Sequence, residues 1–286
     1  MKFRIVTEAC CDLPYNVLEN EQVHVIPMVV TVDGKEYIDN SGKTFDSQWL
    51  MEQVQAGKPA FTSQVNVGSY LEMFQSLIKA DDKMPVVYLG FSSGLSGSYN
   101  NAVTALSMLE DEVGEAPITL IDSKQACLGE GLLVDKLVTL RNQGKTAEEA
   151  VALIEQLAKR VQSWITVDDL KHLQRGGRVS KASATVGTLI NIKPILIMNQ
   201  EGKLDTHGKI RGRKKAIMKL VDETRQNISI SETDKIFIAY AGDKEAAEVI
   251  KEKLVDLALP IEIYPMGSTI ACHTGYGALA VFSIKK

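Results

Sequence analysis

The chain has 286 residues, 45% hydrophobic and 24% charged, with a formal net charge of −4 and a pI near 5.7. That length accommodates two domains of ordinary size, and the composition is that of a soluble globular protein. The acidic balance argues against non-specific nucleic-acid or anionic-membrane binding, no apolar run reaches membrane-span length, and the start MKFRIVTEACCDLP shows no secretory h-region, so a cytoplasmic protein is expected.

Phe3 to Val6 and Val25 to Val30 are short apolar runs rich in β-branched residues and are expected as strands. Asp33-Gly34 predicts a tight turn into Lys35-Glu36-Tyr37, a small hairpin. Asn66 is placed to cap a helix that turns Tyr70, Leu71, Phe74, Leu77 and Ile78 to one face. PVVYLGF at 85–91 has a buried-strand pattern, and Ser98 opens a helix expected to turn Tyr99, Ala102, Val103, Leu106 and Leu109 to one face. Ile118 to Ile121 is a further strand, and Thr146-Ala147-Glu148-Glu149 is a capping box before another amphipathic helix. Such alternation implies a parallel, helix-covered sheet, whose ligands sit beyond the carboxyl ends of the strands. The loop Ser92 to Ser98 lies at such an end.

Near residue 163 the texture changes. KPILIM at 193–198 reads as a strand and Glu201-Gly202 as a hairpin turn. Residues 213–225 read as a helix, 235–240 as a strand and 244–257 as a helix, with strands at 261–264 and 278–284. Two α/β domains are therefore expected, spanning residues 1–163 and 164–286.

Four cysteines, Cys10, Cys11, Cys127 and Cys272, lack C-x-x-C spacing and read as small buried thiols. No metal-spaced His/Cys cluster, paired carboxylates, Walker motif or dinucleotide glycine pattern occurs, so neither metal nor cofactor is expected. Gly90-Phe91-Ser92-Ser93-Gly94 spells a G-x-S-x-G elbow, and the order Ser92, Asp122, His273 matches a hydrolase triad. Against a nucleophile, the strand-to-helix loop is five or six residues long and carries several serines and glycines. Those residues suit an anion cradle at a helix N-terminus, although an ordinary capped turn uses the same ones. Thr62-Ser63-Gln64 supplies hydroxyls ahead of the Asn66 helix, or simply a polar loop. Arg175-Gly176-Gly177-Arg178 is a doubly cationic turn suited to phosphate or carboxylate, or to surface acids. Residues 203–219 carry seven basic side chains against one acid, without the aromatic interleaving of a nucleic-acid surface. His273-Thr274-Gly275-Tyr276-Gly277 sets a histidine in a glycine-rich turn.

In this order, Ile5-Val6-Thr7, Asp12-Leu13-Pro14, Tyr37-Ile38-Asp39, Thr62-Ser63-Gln64, Ser92 to Tyr99, Ile121-Asp122-Ser123, Leu173 to Arg178, Asn191 to Leu196, Lys209-Ile210-Arg211-Gly212 and His273-Thr274-Gly275 resemble the DegV family of fatty-acid-binding proteins. The resemblance spans nearly the whole chain. It implies a two-domain α/β fold, an N-terminal parallel-sheet domain plus a C-terminal domain with a mixed sheet, and a long-chain fatty acid held between them. It further implies that Thr62 and Ser93 hold the carboxyl group, with Ser63, Ser92, Gly94, His273 and Thr274 around it. Asp39, Arg175, Arg178, Lys209 and Arg211 are expected to face a kinase or its phosphate. The implied partners are a fatty acid kinase that phosphorylates the bound acid and, transiently, an acyl-phosphate-using acyltransferase or membrane surface; the implied product feeds phospholipid synthesis. The protein itself is then a carrier and not an enzyme, and the runner-up is a serine hydrolase using Ser92 or Ser93 with His273. Two departures stand out: Glu8-Ala9 replaces the family's Asp-Ser, and Tyr276 replaces the proline of His-x-Gly-Pro-Gly.

Burying a sixteen-carbon chain contributes roughly 10 kcal/mol before ordering costs, so apolar lining alone can hold such a lipid without a covalent link. Neutral hydroxyl donors at the head are expected to leave the carboxylate free for phosphorylation.

Overall fold

A computed structural model describes residues 2–78, 84–168, 170–179 and 191–286. The strands Arg4–Glu8 (β1), Val23–Ile26 (β2), Val86–Gly90 (β6) and Ile118–Asp122 (β7) form a parallel sheet ordered β2-β1-β6-β7. Their hydrophobic runs are buried on both faces, as a helix-covered parallel sheet requires. Helices Tyr15–Asn20 (α1), Val67–Ile78 (α3), Ser98–Val113 (α4) and Leu128–Asn142 (α5) connect or follow these strands.

A second sheet is antiparallel and small. Met28–Val32 (β3) pairs with Lys35–Asp39 (β4) on one side and Ala60–Ser63 (β5) on the other, with helix Ser47–Gln55 (α2) between β4 and β5. The Asp33-Gly34 turn has φ of 51° and 77°, the paired positive values of the expected tight hairpin. Pro27 interrupts the run at 25–30, so it divides between two sheets instead of forming one strand. Thr62 and Ser63, read from sequence as a polar loop, lie in β5; only four residues long, it is too brief to announce itself by alternation.

The third sheet is mixed, ordered β10-β9-β8-β13-β11-β12, from Leu204–Arg211 (β10), Ile192–Met198 (β9), Val161–Thr166 (β8), Leu279–Ile284 (β13), Ile236–Tyr240 (β11) and Ile261–Pro265 (β12). Helices Arg213–Asn227 (α8) and Lys244–Leu254 (α9) pack on one face through a cluster that includes Trp164, Ile195, Ile238 and Val281. The opposite face, with Ile165, Leu196, Ala280 and Phe282, joins the main core shared with the parallel sheet. Helices Ala147–Ala158 (α6), Lys171–Arg175 (α7) and Ser268–Thr274 (α10) complete the fold.

Local signals act as expected. Asn66 Oδ1 accepts from Ser69 N at 2.9 Å, and Thr146 and Glu149 close both halves of their capping box. Among the described residues no helix is long and apolar enough to cross a membrane. All four cysteines are buried and free.

Candidate functional site

A cavity open at its mouth lies between the mixed sheet and the elements of the other two. Ile165, Ala280 and Phe282 from the mixed sheet, Phe91 and Leu95 after β6, and Met28 and Met266 give it apolar walls. Cys10 and Cys127 also line it, and burial pushes both thiols well above the ordinary range, so they remain neutral and act as further apolar lining.

The polar lining is linked by direct contacts. Thr62 faces inward from β5, and its Oγ1 lies 2.7 Å from His273 Nε2 on α10. His273 packs on the Arg175–Arg178 turn so tightly that a Cβ on Gly176 would stand 2.4 Å from Nδ1. Gly177 completes the turn at φ 75°, which favours glycine. Arg178 then reaches back: its Nε donates to Leu95 O at 3.2 Å and its Nη1 to Gly176 O. Among the described residues no carboxylate pairs with this guanidinium, although it lines the cavity. Ser63 and Gln64 are exposed yet line the same space, which puts the mouth beside Thr62.

Burial, together with the Arg178 and Arg175 cations, lowers the His273 pKa to about 4. The imidazole is therefore neutral near pH 7, and the Thr62 hydroxyl can exchange a hydrogen bond with it in either direction. Because its folded pKa lies below the unfolded value of 6.5, the associated stability is complete above pH 6.5 and is lost as pH falls toward 4. An NMR titration is expected to leave the His273 ring unprotonated at pH 5.5; a midpoint at or above 6.5 contradicts this environment.

The serine loop is arranged differently from the expectation. Ser92 is fully buried; its Oγ donates to Gly202 O at 2.7 Å and accepts from Gly94 N at 3.1 Å. A Cβ on Gly94 would come within 2.6 Å of the Glu201 and Gly202 carbonyl oxygens, so these two residues clasp the β9–β10 turn. Ser93 Oγ accepts from Lys124 Nζ at 2.8 Å, and Ser93 does not line the cavity; Ser96 does, with its Oγ 3.0 Å from Ser98 Oγ and accepting from Ser98 N at 3.2 Å. Thr274 lines the wall, but its hydroxyl donates to Ile270 O within α10. Asp122 pairs with Lys124 at 2.7 Å, and His273 Nε2 faces Thr62, so Ser92 or Ser93, Asp122 and His273 do not form a proton relay.

The residues expected to face a kinase separate. Asp39 is only 1% exposed, because it ends β4 on the inward face, and its Oδ2 accepts from both N and Oγ1 of Thr269 at 2.8 Å. It thus anchors α10, the helix carrying His273. Arg178 belongs to the cavity wall, so the polar lining is not made of neutral donors alone. Arg175, Lys209 and Arg211 are exposed, the last two on edge strand β10.

Sequence reasoning missed Glu8 as a site residue. Fully buried, it accepts from the hydroxyls of Tyr70 and Tyr88 and, through Oε2, from Phe91 N at 2.9 Å. The Glu8-Ala9 departure therefore supplies the anchor for the start of the serine loop. The turn lacking proline is held by Gly277 N donating to Ala241 O and Arg213 Nη1 donating to Gly277 O, both at 2.8 Å.

Comparison with known proteins places this arrangement in context. A family model described as DegV, an uncharacterised protein family, matches residues 2–286. A DegV domain-containing protein of Lactococcus lactis is 38% identical, with 100% of this chain and 99% of the relative covered. A DegV family protein of Thermus thermophilus described for fatty acid binding superposes with a TM-score of 0.86 at 28% identity, all of both chains being covered. A stearic-acid-binding protein of Eubacterium ventriosum gives 0.87 at 27%, covering 99% of this chain and 98% of its own.

Proposed function

The chain belongs to the DegV family, and from that premise we propose that it holds a long-chain fatty acid non-covalently in the cavity and presents the carboxyl group to a separate fatty acid kinase. The acyl phosphate so formed would feed phospholipid synthesis. The observation that carries the reading is the Thr62–His273 pair beside Arg178 in a cavity whose remaining lining is mostly apolar. Apolar walls recover the free energy of taking methylenes out of water, and the hydroxyl, the neutral ring and a guanidinium that pairs with no carboxylate among the described residues meet the needs of one carboxylate. We assign the head contacts to Thr62, His273, Ser96 and Arg178. Exposed Arg175, Lys209 and Arg211 remain the surface proposed for the kinase.

Mass spectrometry of an organic extract of the purified protein is expected to yield a long-chain fatty acid in roughly stoichiometric amount. Absence of any such acid, together with failure to load one, overturns the carrier reading. The hydrolase alternative predicts labelling of Ser92 or Ser93 by a fluorophosphonate; none is expected, since neither hydroxyl is paired with His273.

A further inference from the structure

The register of the mixed sheet orders the cavity along its strands. Ala280 pairs with Ile165, and Phe282 pairs with Ser163 two residues farther along β13. On β9, Leu196 pairs with Ile165, which puts Met198 two residues beyond it, toward the same end as Phe282. Two residues farther again, Ile284 pairs with Val161. Thr62 and His273 lie toward the opposite end, since β8 runs on through Thr166 toward α7 and the Arg175–Arg178 turn on which His273 packs.

Past this row a separate cleft begins, with Leu120, Ile121 and Val161 among its walls and Lys285 at its edge. Met198 lines both the cavity and the cleft. Its cross-strand partner Leu204 lines only the cavity. The backbone here is fixed independently of the methionine side chain, because the turn after it is closed by Asn199 Oδ1 accepting from Glu201 N and Lys203 N, each at 2.9 Å, and by the Ser92–Gly202 clasp.

We propose that the Met198 side chain is the end wall that sets the longest acyl chain the cavity accepts, and that removing it opens the cavity into the neighbouring cleft. This inference rests on the fatty-acid reading above. A thioether chain is unbranched and makes no hydrogen bond here that truncation would orphan, so its replacement changes the length of the cavity more than its frame. Leu120, Ile121 and Val161 are the apolar part of a cleft that also carries Asp122, Lys124, Glu155 and Lys159, and the added carbons would lie against that apolar part. Each further methylene taken out of water is a factor of about four in affinity, so two retained methylenes amount to a factor of about fifteen.

The test measures affinities for saturated acids of sixteen and twenty carbons in the unaltered protein, Met198→Ala and Met198→Phe, with circular dichroism to establish folding. Met198→Ala is expected to raise the preference for the longer acid by at least about tenfold, and Met198→Phe to lower it and shift co-purified acids to shorter chains. A preference unchanged within twofold in a folded variant overturns the wall while leaving the carrier reading intact; should one variant not fold, the other decides. If the unaltered protein binds neither acid, the carrier reading fails and this inference with it.

Discussion

Replacing Glu8 with alanine is expected to destabilise the protein by about 3–4 kcal/mol in chemical denaturation, among the largest effects of any single substitution here. Glu8 is fully buried, and its two oxygens meet three donors, the Tyr70 and Tyr88 hydroxyls and Phe91 N. Alanine leaves Phe91 N and one tyrosine hydroxyl buried without their acceptor, since the Tyr70 and Tyr88 hydroxyls lie 3.0 Å apart and can bond each other, and it opens a cavity beside two tyrosine rings. The effect reaches the site, because Phe91 N begins the loop that continues through the Ser92 clasp to Ser96. Glu8→Gln keeps one oxygen acceptor but turns an amide donor toward existing donors, and is expected to lose about half as much. A loss below about 1 kcal/mol for Glu8→Ala would contradict this account of the departure from the family's Asp-Ser. Burial raises the Glu8 pKa against the opposing effect of its hydrogen bonds. With a raised folded value, the part of its contribution linked to ionisation, separate from the lost hydrogen bonds and packing, is complete below the ordinary carboxylate range and is lost as pH rises through that value.

Thr62→Ala is expected to weaken fatty-acid affinity by at least about tenfold, while Ser93→Ala leaves it within twofold. Thr62 Oγ1 lines the cavity and lies 2.7 Å from His273, so its loss removes a head-group hydroxyl and leaves Nε2 without its partner. A hydrogen bond to a charged group contributes about 1.5–3 kcal/mol, which is the source of the tenfold figure. Ser93 turns its hydroxyl to Lys124 instead, and truncation there costs only a partly exposed contact. Titration of a fluorescent fatty acid against each folded variant separates the two. Equal losses would restore Ser93 to the head site; an unaffected Thr62→Ala would remove Thr62 from it.

Much of the fold was legible because its signals are local. The Asp33-Gly34 turn, the Asn66 cap and the Thr146–Glu149 box each specify backbone geometry within a few residues. The helix α5 left no comparable trace. Residues from Leu128 to Arg141 are buried on nearly every face, so the polar stripe that reveals an amphipathic helix is missing. Likewise α10, seven residues long and almost wholly buried, read as a glycine-rich turn.

The sequence by itself determined the residue types of the site, the strand end that carries the serine loop and the family to which the chain belongs. Only the tertiary structure decided which of those residues meet. Thr62 and His273 are 211 positions apart, and Ser92 reaches Gly202 across 110, distances over which no periodicity or cap carries information. Among neighbouring serines the choice is finer still: Ser92, Ser93 and Ser96 are chemically alike, yet Ser92 meets Gly202 of the mixed sheet, Ser93 meets Lys124 just past β7, and Ser96 meets Ser98 at the cavity wall. The same physics moved Asp39 from an expected surface to the buried N-terminus of α10, since a strand's inward face is defined only once something is packed against it.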